Sequence, residues 1–351
     1  MEKFLSNLQN VEFNQSGDVF AQCPSNIALI KYWGKRAVQI PMNPSLSFTL
    51  NESNTQTTLK YQPKSSNEFD VKVYLEEELK ADFVGKILKF FERIETYVPF
   101  LRSFSFEIHT KNTFPHSSGI ASSASGLGAL SLCLVELEKK LGGNLNQETQ
   151  LEKASFLARL GSGSAARSVY PGITVWGETP LIKGSSDLYA VPYTMEVHPV
   201  FKGFRDTILL IDEGEKKVSS TVGHDLMNNH AYANQRFHSA EDNLKKIIQA
   251  LGEGDLVKFG EIVEHEALSL HAMMMTSVPY FILMKPNTLQ VIERIWAFRQ
   301  ETNLPLYFTL DAGANVHLLY PQKDKADIES FIHQKLQPFC QAQKIIKDFT
   351  I

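Results

Sequence analysis

Residues 115–126 (PHSSGIASSASG) place serines among glycine and alanine just ahead of a long apolar run. Small side chains let a ligand approach the backbone, and a helix start offers hydroxyls together with free N–H groups. Those donors favour a phosphate. The segment therefore predicts phosphate binding. Its alternative interpretation is that the small residues only let a helix pack tightly. It matches neither a Walker A loop nor a dinucleotide fingerprint, because Gly-Lys-Ser/Thr and GxGxxG are both missing.

Residues 24–36 (PSNIALIKYWGKR) place Lys31, Lys35 and Arg36 inside an otherwise apolar run. Burying a lysine is costly unless it meets an anion, so the run is compatible with an anion site. The alternative is a strand whose lysines point to solvent. Lys31 and Lys35 are four residues apart, which would place both on one side of such a strand.

Two further segments, each taken alone, give only weak evidence for a functional site. Residues 161–168 (GSGSAARS) combine serines, glycines and Arg167 at a helix end, with donors suited to carboxylate or phosphate. A plain helix-terminating loop is the alternative. Asp311, in FTLDAGAN, lies at the tip of an apolar strand near Gly313. It could serve as a base or metal ligand, or be an ordinary turn aspartate.

A zinc site is not supported by the sequence. His265, Glu266 and His271 resemble a zinc protease motif, but the histidines are six residues apart, about 240° around a helix. The three cysteines, at 23, 133 and 340, form no CxxC pair. Sparse, unpaired thiols fit a reducing compartment and exclude a disulfide scaffold.

Composition indicates a soluble globular protein. The 351 residues are 43% hydrophobic and 21% charged, and 35 Lys plus Arg against 39 Asp plus Glu give a net charge of −4. That balance argues against a nucleic-acid partner. The N-terminus has no apolar stretch of signal-peptide length, and the apolar run 127–135 is about half a membrane span. We expect a cytoplasmic protein with no membrane partner.

Hydrophobic periodicity predicts an α+β protein of two lobes that meet near residue 200: an N-terminal lobe, 1–200, and a mostly helical C-terminal lobe, 201–351, with a small sheet. Helices are predicted at 82–94, from the serine-rich loop to about 142, and at 147–160, 229–251, 255–274, 287–302 and 325–336. Strands are predicted at 71–74, 104–109, 172–176 and 206–211, with a strand–turn–strand unit over 304–321.

Together, seven segments resemble, in order, the motifs of the diphosphomevalonate decarboxylase family, over about residues 21–340. They are PSNIALIKYWGKR, PMNPSLSFTL, NTFPHSSGIASSASG, GSGSAARSVYPG, VSSTVG, LHAMMMTSVPYF and YFTLDAGANVHLLY. This family belongs to the small-molecule kinase superfamily of galactokinase, homoserine kinase and mevalonate kinase (GHMP). KYWGKR and GSGSAxRS distinguish its decarboxylases from the kinases.

The resemblance implies a two-lobed GHMP-kinase-type fold with a cleft between the lobes. It implies that ATP and (R)-5-diphosphomevalonate become isopentenyl diphosphate, CO2, ADP and phosphate, through phosphorylation of the 3-hydroxyl. Mg2+ would accompany ATP as cofactor, and isoprenoid biosynthesis by the mevalonate pathway would be the context. Family members are usually homodimers, so we expect a homodimer.

The resemblance also assigns roles to residues. Asp311, Lys31 and Arg167 take the catalytic positions. The substrate-binding positions are Tyr32, Trp33, Gly34, Lys35, Ser162, Gly163, Ser164, Ala165, Ala166, Arg167, Ser220 and Thr221. The ATP-binding positions are Pro115, Ser118, Gly119, Ala121, Ser122, Ser123, Ala124 and Ser125, with Ser123 also facing Mg2+.

The chain departs from the family pattern at Ala37, where the family has an acidic or polar residue, and at Ala314, where it reads DAGAN rather than DAGPN. Three alternatives stay open: a decarboxylase of the 5-monophosphate, a mevalonate-type kinase without decarboxylation, and a non-catalytic binding member. A pure kinase is expected to lack the set of Lys31, Asp311 and Arg167.

Overall fold

The computed structural model describes residues 1–8, 13–114, 122–214 and 220–350. The first half contains β1 (Gly17–Ile30), β2 (Lys35–Arg36), β3 (Ile40–Pro41), β4 (Ser45–Pro63), β5 (Asp70–Leu75), β6 (Glu78–Leu79), α1 (Ala81–Ile94), β7 (Phe104–Asn112), α2 (Ser122–Lys140), α3 (Gln147–Gly161), β8 (Ile173–Trp176) and β9 (Val191–Pro192). The second half contains β10 (Phe204–Leu209), α4 (Ser220–Asp225), α5 (Ala233–Glu253), α6 (Leu256–Met275), α7 (Pro286–Thr302), β11 (Tyr307–Thr309), β12 (Val316–Tyr320), α8 (Lys325–Phe331) and β13 (Ile345–Thr350).

The first half is organised around β4, a strand of 19 residues. It belongs to a seven-stranded sheet of order β6-β5-β7-β4-β8-β9, and β1 pairs with it along most of its length. Several buried positions of β4 are serine or threonine whose hydroxyls bond to neighbours. Ser47 lies 2.9 Å from the Thr174 hydroxyl, and Thr57 lies 3.0 Å from that of Thr110. A polar strand of this kind satisfies its hydroxyls inside the protein, so it lacks an apolar pattern.

The second half packs helices against a four-stranded sheet of order β11-β12-β10-β13. β11 and β12 pair antiparallel, with Thr309 opposite His317, so the hairpin between them presents residues 310–315 at one end of the sheet. Helix α6 begins after Asp255, whose side chain accepts a hydrogen bond from the Lys258 N–H at 2.9 Å. That contact caps the helix start.

The two sheets share a hydrophobic core. The Phe48 ring, from β4, lies 6.5 Å from the Phe204 ring of β10 and 6.1 Å from the Phe259 ring of α6. Asp348 of β13 adds a polar connection, because its buried carboxylate accepts the backbone N–H groups of residues 51, 52 and 53 at 2.7–3.0 Å. This carboxylate therefore ties β13 to the part of β4 where the pairing with β1 shifts register.

The predicted α+β class, the mostly helical second half and its small sheet are confirmed. Helix α5 begins at Ala233 rather than 229, because Asn229 has a left-handed φ of 64°. The predicted helix 325–336 is α-helical to Phe331 and continues as a π-helical turn, Ile332–Leu336. Strands β1 and β4 were not predicted as strands of this length. The lobe boundary near residue 200 stays a prediction; β9 ends at Pro192 and β10 begins at Phe204.

Candidate active site

Lys31 follows the last residue of β1 and is 1% exposed. Its Nζ donates to Asp311 Oδ1 at 3.0 Å. The interpretation of Lys31 as a solvent-facing strand lysine is therefore wrong, and the requirement for an anionic partner is met. Burial lowers the pKa of Lys31, while the neighbouring carboxylate of Asp311 opposes that shift.

Asp311 lies in the β11–β12 hairpin. The Gly313 N–H donates to its carbonyl at 2.7 Å, and His271 Nε2 donates to the same carbonyl at 3.2 Å. The side chain is 30% exposed. Asp311 is thus both a turn residue and the partner of Lys31, and its carboxylate remains accessible to a ligand.

Arg167 lies in a 3₁₀ turn, Gly163–Ser168, and is 3% exposed. Its Nη1 donates to Ser45 Oγ at 2.6 Å, and its Nε to Asn26 Oδ1 at 3.4 Å. Within residues 1–8, 13–114, 122–214 and 220–350, no carboxylate forms an ion pair with this guanidinium. Burial lowers its pKa to about 10, so it is charged at neutral pH. A buried cation held by neutral groups is stabilised when an anion enters.

Residues 32–35 wrap around His224 of α4. The Tyr32 and Trp33 rings lie 4.2 Å and 4.7 Å from the imidazole, and the Gly34 N–H donates to His224 Nδ1 at 3.0 Å. Gly34 has a φ of 96°, a left-handed conformation suited to glycine. Burial lowers the pKa of His224 to about 3, so the ring is neutral and its Nδ1 is free to accept. The segment and α4 form one packed unit.

The Tyr32 hydroxyl faces residue 163. It is buried, and it has no hydrogen-bond partner in the part of the chain that the structure describes. A Cβ added at Gly163 would lie 2.7 Å from this oxygen and 2.9 Å from Trp176 Cη2. The Tyr32 hydroxyl is therefore a donor that a polar ligand can use, and residue 163 beside it has room only for glycine.

Lys35 also contacts helix α4. Lys35 Nζ lies 3.5 Å from Asp225 Oδ1. Ser220 and Thr221 form the first turn of α4, but their side chains lie outside the described residues. Their assignment to the substrate diphosphate stays a prediction.

The GSGSAARS segment surrounds Arg167 mainly through its backbone. The Ser162 N–H donates to the Ala158 carbonyl, and the Ser164 carbonyl accepts from Asn26 Nδ2 at 3.4 Å. Ala165 and Ala166 are fully buried, so their methyl groups fill space under the turn. Ser162 and Ser164 of this segment are partly exposed to solvent.

The serine-rich loop is described only from Ser122 onward; the predictions for Pro115, Ser118, Gly119 and Ala121 lie outside the described residues. Ser122 is half-buried and Ser123 exposed at the start of α2, whereas Ala124 and Ser125 are buried. The Ser125 hydroxyl is 2.6 Å from the Thr55 hydroxyl. Ser122 and Ser123 thus present accessible hydroxyls, and the Ser125 hydroxyl is engaged inside the lobe.

Several residues around the site were not predicted. Glu266 is fully buried and accepts the Lys31 N–H at 2.8 Å, Arg236 Nη2 at 2.6 Å and Asn243 Nδ2 at 2.8 Å. His271 and His224 were also missed. A signal existed, because Glu266 and His271 are polar residues on the apolar face of a predicted helix.

Models for two domains match this chain. The diphosphomevalonate decarboxylase-like N-terminal domain matches residues 23–187, and the mevalonate 5-diphosphate decarboxylase C-terminal domain matches residues 207–350. The chain belongs to the diphosphomevalonate decarboxylase family.

Individual diphosphomevalonate decarboxylases are similar to this chain along most of its length. The Candida albicans enzyme is 27% identical over 324 residues, which cover 89% of this chain and 86% of that relative. The mevalonate diphosphate decarboxylase structure from Staphylococcus aureus superposes with a TM-score of 0.81 at 29% identity, covering 96% of each chain. A structure described as MDDEF in complex with MVAPP, AMPPCP and magnesium gives a TM-score of 0.81 at 28% identity, covering 95% of this chain and 97% of that one.

Proposed function

We propose that this member of the family converts ATP and (R)-5-diphosphomevalonate into isopentenyl diphosphate, CO2, ADP and phosphate. The observation that carries the proposal is the accessible carboxylate of Asp311 held 3.0 Å from buried Lys31, with the buried guanidinium of Arg167 close enough to act on both charges. A base, a cation that keeps it ionised and a second cation for the substrate carboxylate are what this reaction requires.

Asp311 orients the substrate 3-hydroxyl and accepts its proton as the hydroxyl oxygen attacks the γ-phosphorus of ATP. Lys31 keeps Asp311 ionised, because a nearby positive charge favours the carboxylate. The new phosphate then leaves C3 with the electrons of the C–O bond. The electrons of the bond to the carboxylate form the double bond, and CO2 departs.

Arg167 supplies the charge that binds an acidic substrate. Its guanidinium has no carboxylate partner among the residues described, so a substrate carboxylate or phosphate can take that place. Lys35, the Tyr32 hydroxyl and the Ser162–Ser164 side of the turn are the groups we assign to the diphosphate. Ser220 and Thr221 complete this assignment by resemblance.

ATP and Mg2+ fit the start of α2. A long helix start with accessible hydroxyls at Ser122 and Ser123 suits phosphate oxygens. Across the described residues there is no group of three His, Cys, Asp or Glu placed to hold a metal ion. That fits Mg2+, which is bound mostly through substrate phosphates and water and would contact Ser123 here. When bound, Mg2+ neutralises phosphate charge.

A cytoplasmic homodimer is the assembly we propose. The three cysteines are free and buried, as in a protein of a reducing compartment. No helix in the described part of the chain is long and apolar enough to cross a membrane. Val278, Tyr280 and Ile282 expose 65–89% of their surface between α6 and α7, an apolar segment that a second copy would cover. Sedimentation equilibrium measures this directly.

One incubation separates the candidate activities. The protein is mixed with ATP, Mg2+ and either mevalonate, its 5-phosphate or its 5-diphosphate, and CO2 and phosphorylated products are measured. We expect CO2 and isopentenyl diphosphate from the 5-diphosphate alone. CO2 from the 5-phosphate would identify a monophosphate decarboxylase, and a 3-phosphorylated product without CO2 would identify a kinase.

A further inference from the structure

Lys31 and Asp311 come from distant parts of the chain, the end of β1 and the β11–β12 hairpin. Helix α6 bonds to both. Glu266 accepts the backbone N–H of Lys31 at 2.8 Å, and His271 donates to the backbone carbonyl of Asp311 at 3.2 Å. The two side chains are five residues apart, or about 7.5 Å along the helix axis. One rigid element therefore holds the main chain at each end of the Lys31–Asp311 pair.

Glu266 is itself fixed. Arg236 of α5 donates to both of its oxygens, at 2.6 Å and 3.3 Å, and Asn243 donates at 2.8 Å. The Glu266 side chain is 0% exposed. A carboxylate bonded by four N–H groups in a buried position has one orientation, so it can set the position of the Lys31 backbone.

The charged and titratable groups around Lys31 come from five elements. They are Asp311 of the hairpin, Glu266 and His271 of α6, Arg167 of the 3₁₀ turn, Asp206 of β10, and Arg236 of α5 acting through Glu266. His271 is neutral, because burial lowers its pKa to about 4. Burial and Arg167 lower the pKa of Lys31, while Asp311 and Glu266 raise it. Glu266 is thus the second carboxylate that keeps Lys31 protonated.

We propose that helix α6 sets the geometry and the charge of the catalytic pair, with Glu266 as the positioning residue of Lys31 and His271 as that of Asp311. The proposal rests on the proposed function for the catalytic role of the pair. It assigns to Glu266 a task that neither Lys31 nor Asp311 performs: it fixes the main chain of Lys31 and supports its positive charge.

Glu266→Gln tests the charge. Glutamine keeps the length and an acceptor oxygen, but it no longer raises the pKa of Lys31. The alkaline limb of the kcat profile with ATP, Mg2+ and 5-diphosphomevalonate is expected to move to lower pH by about one unit, the size of effect of one nearby opposite charge. KM for 5-diphosphomevalonate is expected to stay within about twofold, since one lost charge acts here on the base pair rather than on substrate.

Glu264→Gln is the matched control. Glu264 lies on the same helix, is buried and is bonded to Arg299 and Trp296, away from Lys31. Its loss is expected to lower stability without moving the pH profile. If Glu266→Gln does not fold, Arg236→Gln is added, because this second change removes the guanidinium that has lost its carboxylate partner. The pH profile of the double variant is then compared with that of the parent. A stable Glu266→Gln variant with the parent's pH profile overturns the charge role of Glu266.

Position is tested separately by Glu266→Asp, which keeps the charge but is one methylene too short for the Lys31 N–H. We expect kcat to fall several-fold with the alkaline limb unchanged, because only the geometry is altered. Parent-like kcat in this variant contradicts the positioning role of Glu266. His271→Gln is expected to lower kcat in the same way, with an unchanged alkaline limb. Parent-like kcat in a folded His271→Gln variant contradicts the role of His271.

A stability cycle provides a readout that does not need activity. Urea unfolding of Lys31→Met, Glu266→Gln and the double variant is expected to be non-additive, whereas Lys31→Met with Glu264→Gln is expected to add. Additivity in the first cycle contradicts the charge contact. If the parent releases no CO2, the proposed function fails, and this cycle still decides whether Glu266 supports Lys31.

Discussion

Asp311 and Lys31 have different exposures, and that difference divides their roles. The lysine is buried and cannot reach solvent, while 30% of the Asp311 side chain is accessible. The ammonium acts on its carboxylate partner, and the accessible carboxylate can act on a ligand. A requirement for an anion near Lys31 was predictable from the cost of burying a lysine. Which residue supplies that anion was not, because the partner lies 280 positions away; only the family resemblance placed the two together.

Asp311→Asn is expected to lower kcat by roughly 10²–10⁴-fold, because the amide cannot accept the hydroxyl proton. Affinities for ATP and 5-diphosphomevalonate are expected to change only a few-fold, since most binding groups lie on other segments. Turnover, ligand affinity and melting temperature are measured together. Asp255→Asn, which keeps the cap of α6, is the control and is expected to be fully active. Asp311→Asn activity within about threefold of the parent would remove Asp311 from the mechanism.

Arg167→Lys and Arg167→Gln are expected to lower kcat/KM to different extents. Arg167 reaches Ser45 and Asn26 with two different nitrogens, which a single ammonium cannot do. Loss of a charge-assisted hydrogen bond costs about 1.5–3 kcal/mol, or ~10- to 150-fold, in the glutamine variant. The lysine variant is expected to recover part of this loss. Steady-state kinetics against 5-diphosphomevalonate measure both, and full activity of the lysine variant would show that only a point charge is required.

The elements were predictable where their pattern is periodic. Helices α1, α3, α6 and α7 match their predicted ranges to within one or two residues, because each carries a regular apolar face. Strand β4 was missed because Ser45, Ser47 and Thr57 are buried and polar, and their partners come from other strands. Glu266 and His271 were set aside once the six-residue spacing of His265 and His271 failed the zinc motif. Nothing in the spacing of those two residues shows that α6 faces the ends of two separate strands.

Gly163→Ala is expected to disturb the turn that carries Arg167. Its Cβ would lie 2.7 Å from the Tyr32 hydroxyl, so Tyr32 or the turn must shift. Overpacking of this kind costs about 1–3 kcal/mol of unfolding free energy. KM for 5-diphosphomevalonate is expected to rise more than kcat falls, because binding groups rather than the base are displaced.

Gly85→Ala is the matched control for that substitution. Gly85 is an exposed position of α1 with nothing within 4 Å of an added Cβ, so alanine is expected to stabilise the helix by about 0.5–1 kcal/mol. Urea unfolding and steady-state kinetics compare the two variants. An unchanged KM in a folded Gly163→Ala protein would mean that the turn does not border the substrate.

The whole molecule is expected to lose stability as the pH falls below 6.5. His224 and His271 have folded pKa values of about 3 and about 4, below the ordinary value of 6.5. The unfolded chain then binds protons that the folded chain excludes. The contribution is complete above pH 6.5 and is lost as the pH falls toward the folded values. Between pH 7 and pH 5 the two histidines together remove about 4 kcal/mol of unfolding free energy.

Urea unfolding at pH 7, 6 and 5 measures this loss. His271→Gln is expected to remove roughly half of the pH dependence, since one of the two titrating groups is gone. His333→Gln changes an exposed histidine and is expected to leave the slope unchanged. Equal slopes in the parent and in His271→Gln would contradict the assignment to buried imidazoles.

The carboxylate of Asp348 also has a consequence for the order of synthesis. It is the acceptor for the backbone amides of residues 51–53 in β4, yet it is added to the chain 295 residues after Ser53. At about 5–20 residues per second, that interval is roughly 15–60 s. Once β9 has been added, a ribosome-bound chain has the strands of its first sheet but still lacks the acceptor for those amides. The first half of the protein therefore reaches its final form only when the last strand arrives, and a chaperone that shields β4 until then should raise the yield of folded protein.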